Sequence, residues 1–281
     1  MIDGSNLNKT IVITGCTSGI GLALLKEVAR TNVVFAGYRN ENYVEELSEI
    51  SQNVIPFYID MANKNSISQA CAFIKSKTKK IDTVFNVAGC VVAGAIENIE
   101  LDAIREQFEV NTFSHLDFTK QLLALMGEGG KIINISSMSS FGIFPFIAPY
   151  GASKRALDIL FNSMLLETHK NIQIVSIKLG SVATPIWNKS IENNKSSIEN
   201  SIGFEDEMKY LIKNAQKNEF MGANLDNVIK KLVEIGDSAK VKSSYTIGKD
   251  AKFAEILSKL PQDWINFLVK QSLKLKIRRM K

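Results

Sequence analysis

An α/β architecture, a doubly wound parallel sheet covered by helices on both faces, follows from three features of the sequence. Short β-branched runs, almost continuously apolar, alternate with longer amphipathic stretches, as strands buried on both faces alternate with covering helices. A glycine cluster stands where the first such run gives way to the first amphipathic stretch. The composition is that of an ordinary globular chain, 281 residues with 45% hydrophobic and 22% charged, long enough to bury a substantial core.

Strands are expected at 10–14 (TIVIT), 33–37 (VVFAG), 54–58 (VIPFY), 83–89 (TVFNVAG), 131–136 (KIINIS) and 172–178 (IQIVSIK), each short and rich in Val, Ile and Phe. Between them, amphipathic spacing predicts helices over 19–31, 41–51, 65–78, 101–126 and 150–169. Right-handed crossovers then bring every strand's carboxyl end to one edge, where ligands of such sheets bind. After 178 the alternation stops. GSVATPIWNKSIENNKSSIENSIGF is too polar for core and is expected to be a disordered loop or a mobile flap, within a substrate-loop segment of about 186–225. SYTIG (244–248) reads as a last strand, and the chain ends in helix-like sequence with a basic helix at about 262–281. No linker divides it, so one domain over 1–281 is expected.

Charge is unevenly placed. Residues 1–269 carry 28 basic and 29 acidic side chains, while no acid follows Asp263 and Lys270, Lys274, Lys276, Arg278, Arg279 and Lys281 add six positive charges. A neutral body with a basic tail is not the clustered basic face of a nucleic-acid binder. Cys16, Cys71 and Cys90 show no paired spacing and read as reduced thiols of a cytoplasmic protein. His115 and His169 are too few and too far apart for a zinc site. The polar start MIDGSNLNKT is unlike a signal peptide, and no apolar run reaches the ~18 residues of a membrane span.

In TGCTSGIGLALL the glycines Gly15, Gly19 and Gly21 fall at a strand-to-helix junction. Glycine permits the tight turn and close approach of a phosphate to backbone, and the helix amino end offers free N–H groups to a pyrophosphate. The spacing GxxxGxG is neither GxGxxG nor a P-loop, but its position favours a dinucleotide site. The second strand ends in AGYRN, with Arg39 and no acid where the ribose is reached; an arginine there accepts a 2′-phosphate. NADP(H) is therefore favoured, with NAD(H) the alternative. Asp60, and Asn86, Ala88 and Gly89, close the third and fourth strands and are expected to line the adenine or ribose end of the cleft. Finally, PYGASKRAL sets Tyr150 four residues before Lys154. One helical turn separates them; an ammonium beside a phenol favours the phenolate, the positive ring of an oxidised nicotinamide cofactor would add to this, and a shift of two to three units below its usual ~10 would bring Tyr150 near operating pH.

Together TGCTSGIG (14–21), NVAG (86–89), ISS (135–137) and YGASK (150–154) resemble, in this order, the short-chain dehydrogenase/reductase family over roughly residues 8–187. That resemblance implies a Rossmann fold with a nicotinamide cofactor and carries roles over residue by residue. Tyr150 matches the catalytic acid/base and Lys154 its partner; Ser137 matches the substrate-orienting serine; Asn111, in EVNTF, matches the asparagine that supports a proton-relay water. Thr17, Ser18, Ile20, Met61, Tyr150, Lys154, Val182 and Thr184 join the glycines, Arg39 and Asp60 as expected cofactor contacts, Thr184 at the nicotinamide carboxamide, Asp60 at adenine and Lys154 also at the ribose. Departures are Leu179 in place of proline before Gly180, Val87 in place of a second asparagine, and Ser18 where some NADP enzymes carry a basic residue, which leaves Arg39 the one NADP marker.

The expected reaction is hydride transfer between nicotinamide and a carbonyl or alcohol carbon, the proton passing through Tyr150. Apolar residues near the cleft, Phe144 and Trp187 among them, suggest a hydrophobic substrate, and SVATPIW with the long carboxyl-terminal part is similar to hydroxysteroid and retinol dehydrogenase-like members. The helical stretches 101–126 and 150–169 resemble those through which members form dimers and tetramers. In the tail, Ile265, Leu268, Val269, Leu273 and Ile277 form one stripe, either docked on the body or lying on an anionic membrane. An NAD-linked alcohol dehydrogenase and a non-catalytic dinucleotide sensor are the alternative functions.

Overall fold

The computed structural model describes residues 9–184 and 186–279, without the side chains of Trp187, Asn188, Glu219 and Phe220. The chain opens with β1 (Thr10–Ile13), helix α1 (Gly19–Val28), β2 (Val33–Tyr38), a short 3₁₀ turn and α2 (Val44–Glu49). Then follow β3 (Val54–Tyr58), α3 (Lys64–Lys77) and β4 (Ile81–Asn86). Next come α4 (Leu101–Phe108), a π-turn at Glu109–Phe113, α5 (Ser114–Leu122), β5 (Met126–Ser137) and α6 (Ala148–Glu167). After β6 (Gln173–Leu179) lie α7 (Ile186–Asn193), α8 (Lys195–Glu199), α9 (Glu205–Met221) and α10 (Leu225–Asp237). The chain closes with β7 (Ser244–Ile247), α11 (Lys249–Leu257) and α12 (Gln262–Arg278).

The strands form one seven-stranded sheet in the order β3-β2-β1-β4-β5-β6-β7, parallel throughout, which is the Rossmann arrangement. Alternation along β1 shows why the strands read as continuously apolar. Ile11 and Ile13 enter one core with Leu24, Leu25 and Leu232, whereas Val12 enters the other with Phe57, Phe118 and Phe161. Both faces are buried, so neither can be polar. Helices α1 and α10 pack on the first face, α3, α5 and α6 on the second. The direction of winding reverses between β1 and β4, which opens a crevice at their carboxyl ends.

Three expectations change. The polar segment after 178 is helical rather than a loop, because single side chains fasten it to the body. Asn194 accepts from the Ala93 N–H at 2.9 Å and donates to the Val91 carbonyl at 2.6 Å, and Ser201 accepts from the Ala95 N–H at 3.2 Å. The fifth strand begins five residues early, at Met126, running through a glycine-rich stretch where its register with β4 shifts. The stretch 101–126 is not one helix, since the π-turn interrupts it.

Candidate active site

The loop from β1 to α1 is built around contacts that admit no side chain. Gly15 lies at φ +75°, and a Cβ there would come within 3.0 Å of Ala88 Cα. A Cβ on Gly21 would stand 2.1 Å from the Gly15 carbonyl oxygen, so the helix can leave the loop this closely only from a glycine. Ser18 precedes α1 in extended conformation without capping the helix, and its first turn holds no acid. The N–H groups there are free to meet an anion, as a pyrophosphate requires. Thr17 and Ile20 flank these glycines, and Thr184, buried, stands against Gly19, with 3.6 Å from its Cβ to where a Gly19 Cβ would be.

Thr14, which the sequence reading passed over, joins this loop to β4. Its hydroxyl accepts from the N–H groups of Val87 and Ala88 at 3.0 and 3.1 Å. Ala88 and Gly89 thereby border the glycine loop, but Asn86 does not: its amide is buried, donating to Asn134 at 2.7 Å and Thr119 at 3.2 Å. The side chain ties β4 to its neighbours and is not brought to the cleft. Arg39 is exposed just beyond β2. Asp60 follows β3 and holds the Ala62 N–H at 3.0 Å, while the Met61 side chain is buried in the second core. A further cation comes from α7, where Lys189 donates to the Ser18 hydroxyl at 3.3 Å. It stands beside the loop position that lacks a basic residue of its own, 171 residues away in sequence.

At the adjoining edge, Ser137 ends β5 and Tyr150 lies in the first turn of α6, directly after Pro149, whose fixed φ suits that turn. Ser137 stands near enough to the phenol to pull its pKa down, and its hydroxyl accepts from the Ser139 hydroxyl at 2.9 Å. Lys154 is buried one turn on, its Nζ 6.0 Å from the centre of the Tyr150 ring and donating to the Ile135 carbonyl at 3.0 Å. Asn111 sits on the π-turn, a helix irregularity frequent at functional sites. Its amide accepts from the Cys90 N–H and donates to the Cys90 carbonyl, both at 2.9 Å, and donates to Ser153 at 3.0 Å. The side chain thus clamps the loop after β4 to α6, and Gly89 is wedged between Asn111 and Lys154.

In the protein alone the Tyr150 pKa is raised rather than lowered. Burial pushes the phenol up to about 12, against a smaller downward pull from Ser137. The lysine is itself strained by burial, down to about 8, with Cys90 and Asp158 opposing. Desolvation outweighs the neighbouring charge because the ammonium is turned to a backbone carbonyl rather than to the phenol.

The departure at Leu179-Gly180 has a local answer. Asp250 of α11 accepts from the Ser181 N–H at 2.7 Å, and a Cβ on Gly180 would collide with its carboxylate at 1.9 Å. Val182 then bridges to Ala223, which sets the approach to Thr184. Among the expected substrate residues, Phe144 is half-buried ahead of α6, and the side chain of Trp187 lies outside the described residues. Near Phe144, Phe146 is held at φ +67°, accepts from the Gly94 N–H at 2.9 Å and packs edge-on against Phe204 at 5.8 Å. Such strain in a non-glycine residue persists where surrounding contacts fix it.

A family model described as short chain dehydrogenase matches residues 9–195. The uncharacterized oxidoreductase YusZ of Bacillus subtilis is 30% identical over 265 residues, covering 90% of this chain and 94% of the relative. An NADPH-dependent 3-dehydrocapnine reductase of Ornithobacterium rhinotracheale is 26% identical over 275 residues, 94% of this chain and 96% of that one. The crystal structure of a short-chain dehydrogenase from Streptomyces avermitilis superposes with a TM-score of 0.76 at 21% identity, covering 96% of this chain and 98% of that chain.

Proposed function

The chain belongs to the short-chain dehydrogenase family and is an NAD(P)-dependent oxidoreductase, and from that premise we propose that it reduces a hydrophobic carbonyl compound with NADP(H). The observation that carries this reading is the convergence of Ser137, Tyr150 and Lys154 on the sheet edge beside the glycine cradle. When bound, the nicotinamide cofactor supplies the hydride. Ser137 and Tyr150 hold the substrate oxygen between two hydroxyls, and Tyr150 passes its proton to that oxygen as negative charge develops there. A phenol that stays protonated at neutral pH suits this direction. Lys154 keeps a positive charge under the site, and Asn111 holds the Cys90 backbone and α6 in register around it.

The residues fit a dinucleotide. Gly15, Thr17, Ser18, Gly19, Ile20 and Gly21 would hold its pyrophosphate, Asp60 and Met61 the adenine end, and Ala88 and Gly89 the ribose; Val182 and Thr184 would meet the nicotinamide. Arg39, with no acid at the end of β2, supports NADPH over NADH, and the NADPH dependence of the Ornithobacterium relative is in keeping with it. Phe144 and the Phe146–Phe204 pair support an apolar substrate wall. Exposed apolar residues on α4 to α6, Leu101, Phe113 and Ile159, support self-association as a dimer or tetramer.

Fluorescence titration of NADPH and NADH on the wild type and Arg39→Ala tests the reading. The expected result is a preference for NADPH of at least roughly tenfold that the variant loses, as removal of one charge-assisted phosphate contact predicts. Equal affinities in the wild type would point to the NAD-linked alcohol dehydrogenase reading, tight binding without oxidation of NADPH by any carbonyl to the dinucleotide sensor, and no binding of either would overturn the dinucleotide reading itself.

A further inference from the structure

Helix α12 is apolar on two faces. Ile265, Val269, Leu273 and Ile277, spaced one turn apart, are half-buried where the helix lies against α9, and Lys276 covers the Tyr210 ring of α9 at 5.8 Å. Leu268, expected on this stripe, is turned away from it. It belongs to the outer face with Trp264, Phe267 and Leu275, at i, i+3, i+4 and i+11. These four are 64%, 59%, 39% and 55% exposed in the order Trp264, Phe267, Leu268, Leu275. Apolar side chains contiguous on one helix face mark an interaction surface, whereas single exposed ones do not. Lys270, Lys274, Arg278 and Arg279 border this face, none with a carboxylate partner among the described residues.

We propose that the outer face of α12 docks on the surface of an anionic lipid bilayer. Charge complementarity chooses this occupant. The body of the protein is close to neutral, and the basic charge gathers where the apolar face ends, with Asp263 the one carboxylate on the helix. A second copy of the chain would set the same cations against themselves, since an isologous contact pairs a patch with its own image. An anionic surface neutralises the cations while its acyl boundary takes up the Trp and Phe rings, which is how an amphipathic helix lies in the plane of a membrane. The helix rests there rather than crossing, as no helix among the described residues is long and apolar enough to span. Docking and chemistry are separable, because the residues at Tyr150 play no part in it.

The full chain is tested by flotation with phosphatidylcholine vesicles, with and without phosphatidylglycerol. A Trp264→Ser, Phe267→Ser variant and a Lys270→Gln, Lys274→Gln, Arg278→Gln variant accompany it, with thermal unfolding verifying that both fold. Wild type is expected on the anionic vesicles alone, released by salt. The charge variant should bind weaker by about fivefold for each cation removed, and the aromatic variant by roughly tenfold or more. Brominated acyl chains should quench tryptophan fluorescence in the wild type more than in the aromatic variant. Absence from both kinds of vesicle overturns the proposal, and equal binding to both overturns the anionic assignment. If the aromatic substitutions leave vesicle binding intact but split a dimer seen by light scattering, the face belongs to a second copy instead.

Discussion

Tyr150 carries opposite demands: it must sit dry enough to meet an apolar substrate, yet exchange a proton. Burial dominates in the protein itself, raising the phenol to about 12, so its folded pKa lies above the unfolded value of 10. Between those two values the folded state binds the extra proton, and that contribution to stability is present below pH 10 and lost as pH rises through 12. The difference in phenolate absorbance between wild type and Tyr150→Phe should accordingly be absent at neutral pH and grow only towards about 12. An ionisation near 7 in the protein alone would contradict this account of the phenol. Turnover of Tyr150→Phe on any accepted carbonyl should fall by about 10²–10⁴, with a far smaller change in NADPH affinity, since the missing hydroxyl acts first as the proton donor. The four-residue spacing that made Tyr150 and Lys154 visible in the sequence is local, as is the glycine cluster, and local geometry can be read from a linear chain. The sign of the pKa shift could not be, because it depends on which way the ammonium turns and on how much water the surrounding elements exclude.

At the level of elements, the sheet was legible because a strand buried on both faces has no choice but to be apolar from end to end. Helices α7 to α9 were not. They are polar over most of their surface and held by Asn194 and Ser201, whose bonds span 101 to 106 residues and leave no periodic signal. Helix α10 differs, since Val228, Ile229, Leu232 and Ile235 do repeat at helical spacing and are buried against α1; that signal was present and overlooked. The turn after β6 shows the same distance effect, for its support comes from Asp250, 69 residues beyond Ser181. Asp250 also lies in the first turn of α11, where a negative charge suits the helix amino end. Asp250→Ala removes an acceptor from the Ser181 N–H, a loss of about 1 kcal/mol, and should lower the melting temperature by about 2–4 °C. It should also weaken NADPH binding, as Val182 and Thr184 hang from this turn. Asp250→Asn, which keeps an acceptor oxygen, should restore most of both. A melting temperature unmoved by Asp250→Ala would mean that the β7 pairing, through the Gly180 N–H on the Ile247 carbonyl at 2.9 Å, holds the turn unaided.

For the molecule as a whole, the acid limit of stability has an identifiable contributor in His115. It lies on α5, fully buried, with Nε2 2.8 Å from the Ala88 carbonyl and Nδ1 without a hydrogen-bond partner. Nε2 is therefore the protonated nitrogen, donating to the loop that borders the cofactor cradle. Burial and then the positive charge of Lys154 hold its pKa down to about 3 from 6.5, the Ala88 contact opposing. A folded pKa below the unfolded one means that the unfolded chain binds the additional proton between these values. Stability from this group is then complete above pH 6.5 and is lost as pH falls towards 3. At about 1.4 kcal/mol per unit, the whole loss is on the order of 5 kcal/mol, a large share of the marginal stability of a folded domain. Carboxylates titrate over part of the same range, so the comparison has to be made with His115→Gln, whose amide can still donate to Ala88 but takes up no proton. Urea unfolding of both proteins from pH 4 to 7 is the measurement. The wild-type free energy should climb more steeply with pH, the two curves converging or crossing as the histidine loses its charge in the unfolded chain. Parallel curves would mean that the imidazole is protonated in the folded state too, and that water or a rearranged α5 reaches a place this packing closes.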